Sequence, residues 1–189
     1  MANADNPSGA RPIRHLTGAP YNGQSNRYCL PAADGTATYI HDLVKFGGTA
    51  DADGIPTIAQ AAAGDALLVG AVVGLEVSPT DLTLMYRSAS TLRYAMVSDS
   101  PDIIYEMQED SVGGALAATD VGENCDIIVA AGSATSGVSA MELDSSTHAT
   151  TTAQMRVIRL VQRADNAIGT NAKWEVLINE HAFKSTTGT

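Results

Sequence analysis

The sequence predicts an all-β protein, a single sandwich or barrel of about eight to nine short strands with an extended N-terminal arm and at most one short helix. Three observations lead to this expectation. Short runs of apolar, β-branched and aromatic residues recur along the chain, Gly- and Asp-rich turns separate them, and only one segment has a helical composition. The chain has 189 residues, which is long enough to bury a core as one domain without disulfide bonds.

The first thirty residues differ in composition from the rest. They contain three prolines and several Asn and Gly residues, and their apolar residues follow neither a helical nor a strand period. Such a stretch cannot bury enough apolar surface to fold alone. The sequence therefore predicts an extended arm over 1–30, a β-rich body over 31–184 and a C-terminal tail over 185–189. The arm would lie on the body itself or on a neighbouring subunit, and its removal would leave a folded body.

Four strand candidates precede residue 100, at 38–46, 66–77, 82–87 and 91–98. The run 66–77 is continuous and β-branched, as in a strand that is buried on both faces. Its Gly70 and Gly74 permit a bulge or the close approach of another strand. The Asp- and Gly-rich stretch 49–56 predicts a turn or loop.

Five strand candidates follow, at 102–109, 124–132, 138–144, 153–163 and 172–180. In the last of these, Trp174, Val176 and Ile178 alternate with Lys, Glu, Leu and Asn, so we expect these three side chains to face the core. The helical composition is confined to 113–122, which allows one or two turns at most.

Charge is distributed unevenly along the chain. The net charge is −10, but residues 1–30 carry +2, which leaves −12 on residues 31–189. No Lys or Arg occurs between Arg93 and Arg156, whereas ten acidic residues do. A surface of this sign repels phosphate backbones, so we expect no direct nucleic-acid binding. The acidic stretch predicts a solvated face, with Glu106 and Glu109 on an exposed strand edge; calcium binding or a basic partner is the alternative.

One segment, "MELDSSTHATTTAQMRVIRL" over 141–160, contains the ingredients of a hydrolytic triad. Asp144, Ser145, Ser146 and His148 fall within five positions. Triad members usually converge from separate elements, and neither serine lies in a G-x-S-x-G turn. Ser, Thr and Asp in a row after a strand typically bond to nearby peptide groups. The sequence therefore predicts a hydrogen-bonded loop, and a protein that is not an enzyme.

Metal, cofactor and membrane motifs are missing from the sequence. The four histidines have no metal-binding spacing, and in "DADG" (51–54) the glycine is at the fourth position, where an EF-hand loop has it at the sixth. No phosphate-binding glycine motif occurs, and the two cysteines are far apart. The longest apolar run, 66–77, is too short to span a bilayer. We expect no metal, no cofactor and no membrane association.

Four blocks of the sequence together resemble a known family. They are "NPSGARPIRHLTGAPYNGQSNRYCLP" (6–31), "STLRYAMVSDSPDIIYEMQEDSVGGALAATDVGENCDIIV" (90–129), "GVSAMELDSST" (137–147) and "RVIRLVQRADNAIGTNAKWEVLINEH" (156–181). In these blocks the chain resembles the head decoration, or cement, proteins of tailed bacteriophages. The resemblance runs from about residue 7 to residue 181 and rests on composition more than on invariant motifs.

This resemblance implies a virion structural protein on the outer capsid surface. Such a protein would bind several major capsid protein subunits, would assemble in the host bacterial cytoplasm and would carry no catalytic residues. Copies on the shell would associate as a dimer or trimer. The alternatives are another head or tail structural protein, such as a head-completion or tail-base protein, and a carbohydrate-binding β-domain.

On this interpretation the arm supplies the contacts to the capsid. The candidate contact residues are three arginines and four apolar anchors: Arg11, Arg14, Arg27, Ile13, Leu16, Tyr21 and Tyr28. An ordered arm can extend an interface by pairing with a strand edge of a neighbour.

Overall fold

Twelve β-strands and three short 3₁₀ helices form the regular structure of residues 3–186 and 188, the part of the chain that the computed structural model describes. The strands are β1 Arg11–His15, β2 Asn26–Leu30, β3 Leu43–Ala50, β4 Pro56–Gln60, β5 Gly70–Leu75, β6 Arg93–Ser98, β7 Ile103–Gln108, β8 Asn124–Cys125, β9 Ile127–Ile128, β10 Glu142–Leu143, β11 Met155–Leu160 and β12 Lys173–Ile178. The 3₁₀ helices are Ala118–Asp120, Ser145–Thr147 and Ala182–Lys184. The all-β expectation is confirmed, with more and shorter strands than predicted.

The strands are arranged as a barrel beside an open sheet. Strands β2, β4, β3, β5 and β6 close into a barrel in that order. Strands β1, β7, β12, β11 and β8 form a five-stranded sheet, and β9 and β10 form a separate two-stranded sheet. Closure removes the free strand edges of the barrel, which would otherwise be available for pairing with other chains.

Two hydrophobic clusters share the walls of the barrel. One fills the barrel interior and includes Val44 and Val72, whereas the other lies under the five-stranded sheet and includes Leu43 and Ala71. Because successive side chains on a strand point to opposite faces, β3 and β5 each contribute to both clusters. The barrel and the sheet are therefore joined by common strands.

The glycines of β5 serve the role that the sequence suggested. A Cβ atom on Gly70 would lie 2.0 Å from the carbonyl oxygen of Ser98, so only glycine fits at this crossing. The register of β5 against β6 shifts between Val72 and Gly74, as in a β-bulge.

The first thirty residues do not form the expected separate arm. Strand β1 pairs with β7 as an edge of the five-stranded sheet, and β2 pairs with β6 and β4 inside the closed barrel. A domain boundary at residue 30 is therefore wrong, because β2 runs up to that residue within the barrel. The backbone hydrogen bonds of these strands offset the cost of ordering a Pro- and Gly-rich stretch. Residues 187 and 189 of the predicted tail lie outside the described residues.

Several strand predictions also require correction. Residues 82–87 contain no strand among the described elements, and only Arg87 makes an isolated bridge, to Thr38. Strand β4 is not among the predicted strands, and its first residue, Pro56, is the last residue of the predicted loop 49–56. The 113–122 segment holds only the three-residue 3₁₀ helix Ala118–Asp120. In β12, Trp174, Val176 and Ile178 are all buried in the core, which confirms that expectation.

Candidate functional site

The residues that suggested a hydrolytic triad make separate hydrogen bonds. Ser145 donates its hydroxyl to Asp110 Oδ1 at 2.8 Å and its peptide N–H to the same atom at 3.0 Å. Asp144 caps the 3₁₀ helix 145–147 by accepting from the peptide N–H of Ser146 at 3.0 Å. His148 instead hydrogen-bonds to Glu123 at 2.8 Å. The serine and the imidazole thus bond to different carboxylates, and the segment is a capped turn of the kind that the sequence indicated.

His148 completes a group that the sequence spacing did not suggest. Its Nδ1 atom lies 2.8 Å from Glu123 Oε2 and 3.9 Å from Asp120 Oδ2. One ligand atom of each residue falls within 4.8 Å of the others. We call Asp120, Glu123 and His148 the acid–imidazole group. It lies at the surface, where water can reach it, and the side chain of His148 is 41% exposed.

Main-chain hydrogen bonds hold this group in place. Asn124 and Ala149 exchange both peptide hydrogen bonds, at 2.9 and 3.0 Å, so the residues next to Glu123 and His148 are locked side by side. The peptide N–H of Glu123 donates to the carbonyl of Asp120 at 3.0 Å, and that of Ala117 donates to Asp120 Oδ2 at 2.8 Å. Two loops separated by about 25 residues are therefore brought to one point.

The acid–imidazole group has two carboxylates against one imidazole. Among the described residues, the only ion pair recorded for Asp120 or Glu123 is with His148, and neither pairs with Lys or Arg. The hydrogen bond with Glu123 raises the pKa of His148, and the peptide N–H of Ala117 helps to lower the pKa of Asp120. Burial, together with four surrounding carboxylates, raises the pKa of the nearby Cys125 thiol to about 12; the carboxylates are those of Glu123, Asp120, Asp144 and Asp126.

A second surface feature is an apolar loop over residues 76–92, which we call the apolar loop. It carries four of the large apolar side chains that the described chain exposes: Val77 at 70%, Leu82 at 79%, Met85 at 56% and Leu92 at 59%. These side chains line two adjoining grooves, of about 240 and 670 Å³, which share Val77, Ser78, Leu84 and Arg93. A contiguous apolar surface of this kind marks an interaction site more often than a scatter of single residues does.

Two arginines tether the apolar loop to the body. Arg93 donates to the carbonyls of Glu76, Leu84 and Tyr86, and so spans the loop. Arg87 is fully buried and donates to Asp34 Oδ2 and to four carbonyls, those of Thr91, Thr36, Pro31 and Asp34. The ring of Tyr86 stacks on Tyr39 with the ring centres 5.0 Å apart. The apolar side chains are thus displayed on an anchored segment.

Four of the predicted capsid-contact residues lie in β1 or directly after it. Arg11 and Leu16 are exposed, and Ile13 is half-buried. Arg14 is also half-buried, but its guanidinium pairs with Glu175 of β12 and so ties β1 across the sheet. Tyr21 packs against the core beneath the sheet and donates its hydroxyl to the carbonyl of Gln24.

The last two predicted contact residues belong to the barrel. Tyr28 is only 4% exposed, lies in the barrel interior and donates its hydroxyl to Asp99 at 2.6 Å. Its side chain is therefore not available as an anchor for a neighbour in the folded chain. Arg27 is exposed and forms two hydrogen bonds to Glu76. Its guanidinium lies over the ring of Tyr94, with Cζ 3.6 Å from the ring centre.

The expected solvated edge at 102–109 is wrong. Strand β7 lies between β1 and β12, and Glu106, Gln108 and Glu109 are all at most 6% exposed. Glu106 pairs with Arg163 at 2.9 Å, and Glu109 accepts a hydrogen bond from the peptide N–H of Leu116. Burial raises the pKa of Glu109. By contrast, 51–54 is the turn that was expected, with Asp51 accepting from the peptide groups of Asp53 and Ile55.

Two features escaped the sequence reasoning for different reasons. The members of the acid–imidazole group are separated by up to 28 residues and share no motif, so only the pairing of their loops reveals them. For the apolar loop a signal was present, the "SPTD" sequence at 78–81. Asp81 accepts from the peptide N–H of Thr83, so the turn extends into the first residues of the predicted strand 82–87.

Comparison with protein-family models, with curated proteins and with solved structures gave no match. Across the described residues, no helix has the length and apolar character that crossing a bilayer requires.

Proposed function

We propose that this chain is a virion structural protein that decorates the outer capsid surface of a tailed bacteriophage. In this role it would bind the major capsid protein and stabilise the contacts between its subunits, and it would not be an enzyme. The proposal rests on the sequence resemblance and on one structural observation, the tethered apolar loop over 76–92. We assign the loop as the main contact with the capsid, and we place assembly in the host bacterial cytoplasm.

Exposure of the apolar loop to water costs free energy. Val77, Leu82, Met85 and Leu92 are each more than half exposed, and burial of such side chains is worth about 1.5–3 kcal/mol apiece. A protein interface places apolar anchors of this type at its centre and polar groups at its rim. Glu76, Asp81 and Arg93 lie around the grooves and supply that rim. A partner surface that covers the loop would bury these side chains and so gain the free energy of transferring them out of water.

Only some of the predicted N-terminal contact residues are free to bind a capsid subunit. Arg11, on β1, and Leu16, which follows β1, are exposed, so they remain available to a second capsid subunit. Arg14 and Tyr28 already have partners within the chain, and we no longer assign them to the interface. Copies on a shell would also associate with one another as a dimer or trimer, which would let several weak contacts act together.

The first test measures binding to empty heads that lack this protein, by co-sedimentation. Leu82→Asp and Leu92→Asp each place a charge in the apolar loop, and we expect the apparent affinity of each to fall by about 30-fold, the equivalent of about 2 kcal/mol. The matched control is Val112→Asp, which changes a residue of similar exposure, 61%, outside the loop. Far-ultraviolet circular dichroism checks that each variant is folded.

The outcomes separate the proposal from its alternatives. Wild-type affinity of both loop variants would contradict the role of the loop, and no binding of the wild-type protein to heads would contradict the decoration role itself. A copy number of a dozen or fewer per particle would instead indicate a head-completion or tail-base protein. Retention on glycan arrays would favour a carbohydrate-binding domain.

A further inference from the structure

The acid–imidazole group is independent of the apolar loop and of the proposed capsid contact. It combines two carboxylates with an imidazole nitrogen, and one donor atom of each lies within 4.8 Å of the others. Carboxylate oxygen and imidazole nitrogen are donors that divalent first-row transition ions accept together, whereas Ca²⁺ and Mg²⁺ prefer oxygen alone. The presence of His148 therefore distinguishes this group from an ordinary acidic surface.

The charge balance of the group favours a cation. Asp120 and Glu123 have no Lys or Arg partner among the ion pairs of the described chain. Seven other carboxylates of the described residues do pair with Arg or Lys: Asp34, Asp65, Glu76, Asp102, Glu106, Asp165 and Glu175. The stretch from Arg93 to Arg156 supplies no basic residue that could serve. A bound dication would neutralise both carboxylates where the protein itself offers only an imidazole.

The two distances from His148 to the carboxylates are compatible with tetrahedral coordination. Zn²⁺ bonds of about 2.0–2.2 Å place two ligand atoms roughly 3.3 Å apart. His148 Nδ1 is 2.8 Å from Glu123 Oε2 and 3.9 Å from Asp120 Oδ2, which brackets that spacing. The two peptide hydrogen bonds between Asn124 and Ala149 fix the backbone next to Glu123 and His148. Metal binding therefore needs little ordering of the chain.

We propose that Asp120, Glu123 and His148 bind a divalent transition-metal ion of the Zn²⁺ type, with water in the remaining coordination position. Three protein ligands and one water is a common zinc arrangement. The ion joins the loop after the 3₁₀ helix Ala118–Asp120 to the threonine-rich loop that follows Thr147. Its role here is structural: it holds two surface loops together and neutralises part of the acidic face.

The test is a titration of the metal-free full-length protein with Zn²⁺ by isothermal calorimetry. We expect one strong site per chain in the wild type and at least a 30-fold loss of affinity in His148→Ala and in Glu123→Gln, since each removes one ligand. Asp120→Asn provides a third variant in case one of these fails to fold. His15→Ala is the matched control, because His15 is a surface histidine that bonds to Gln24 and not to a carboxylate.

Thermal melting gives a second readout. At a free Zn²⁺ concentration about 100 times the wild-type dissociation constant, we expect the wild-type Tm to rise by about 5–10 °C and that of His148→Ala to rise by at most about 2–3 °C. Affinity of all three ligand variants within about threefold of the wild type would overturn the proposal. So would stronger binding of Ca²⁺ than of Zn²⁺ that survives in His148→Ala, because the imidazole would then have no part in the site.

Discussion

At the scale of single residues, the environment decides roles that residue type leaves open. Tyr28 and Tyr21 both lie in the first thirty residues, yet Tyr28 is enclosed in the barrel and Tyr21 is half-buried against the core beneath the five-stranded sheet. Arginine is usually a surface residue, but Arg87 is fully buried and donates to a carbonyl of the apolar loop, that of Thr91, and to carbonyls of 31–36. A buried guanidinium persists only where its donors are satisfied, and the residues that satisfy it come from distant parts of the chain.

His181 provides a prediction about the pH dependence of stability. It is 2% exposed and its Nδ1 accepts from the peptide N–H of Phe183 at 3.1 Å. Burial, helped by Lys184 and opposed by Asp99 and Asp102, lowers the pKa of His181 to about 4. The unfolded chain binds a proton near pH 6.5, where the folded chain does not, so the free energy of unfolding should fall as the pH decreases from about 6.5 to about 4. The expected contribution is about 2–3 kcal/mol.

The measurement is urea unfolding at pH 7 and at pH 4.5. His181→Asn keeps an acceptor for the peptide N–H of Phe183 but does not titrate, so the loss of stability between the two pH values should be smaller than in the wild type. His15→Asn, at a partly exposed histidine, should leave that loss unchanged. An equal pH dependence in His181→Asn and the wild type would show that His181 is not the source.

At the scale of elements, the predictions succeeded where the pattern is local and failed where it depends on neighbours. The alternation of Trp174, Val176 and Ile178 identified the core face of β12, because strand periodicity is a property of the backbone itself. The acidic residues of β7 led to the wrong expectation of a solvated edge. Their burial depends on Arg163, which pairs with Glu106, and on β1, which pairs with the edge of β7 opposite β12.

The role of the first two strands provides a prediction about truncation. Deleting residues 1–30 removes β1 and β2, and with them Tyr28, Cys29 and Leu30, which are at most 4% exposed. The barrel would then have an open gap between β4 and β6, so we expect the fragment 31–189 to lose its cooperative thermal transition and its near-ultraviolet circular dichroism. This reverses the expectation of a folded body that followed from an independent arm.

The control for the truncation is deletion of residues 1–4, which removes only the contacts of Asn3 with the 167–170 turn among those recorded for this segment. That variant should unfold within a few degrees of the full chain. A fragment 31–189 that melts cooperatively at a temperature close to that of the full chain would contradict the integration of β2 into the barrel.

At the scale of the whole molecule, the barrel and the five-stranded sheet should unfold together. Leu43 and Val44 belong to different hydrophobic clusters, as do Ala71 and Val72, so each cluster loses part of its wall when the other opens. We expect a single calorimetric transition, with equal calorimetric and van't Hoff enthalpies.

Two matched substitutions test this coupling. Val97→Ala enlarges space in the barrel and Val176→Ala does so beneath the sheet, and both residues are fully buried. Each should lower the Tm of the one transition, through a loss of about 1–3 kcal/mol of stability. Two resolved transitions, each sensitive to one substitution only, would show that the halves are independent.

The sequence by itself determined the all-β class, most of the strands after residue 90, and the turn and loop character of 51–54 and 145–148. Those features follow from periodicity, turn residues and local hydrogen bonding, which act over a few residues. Only the tertiary structure decided that the N-terminal strands complete two sheets, that the loop 76–92 exposes its apolar side chains, and that His148 meets Asp120 and Glu123. The physical reason is that these depend on which distant strands pair, and pairing is selected by the burial of the whole chain rather than by any one segment.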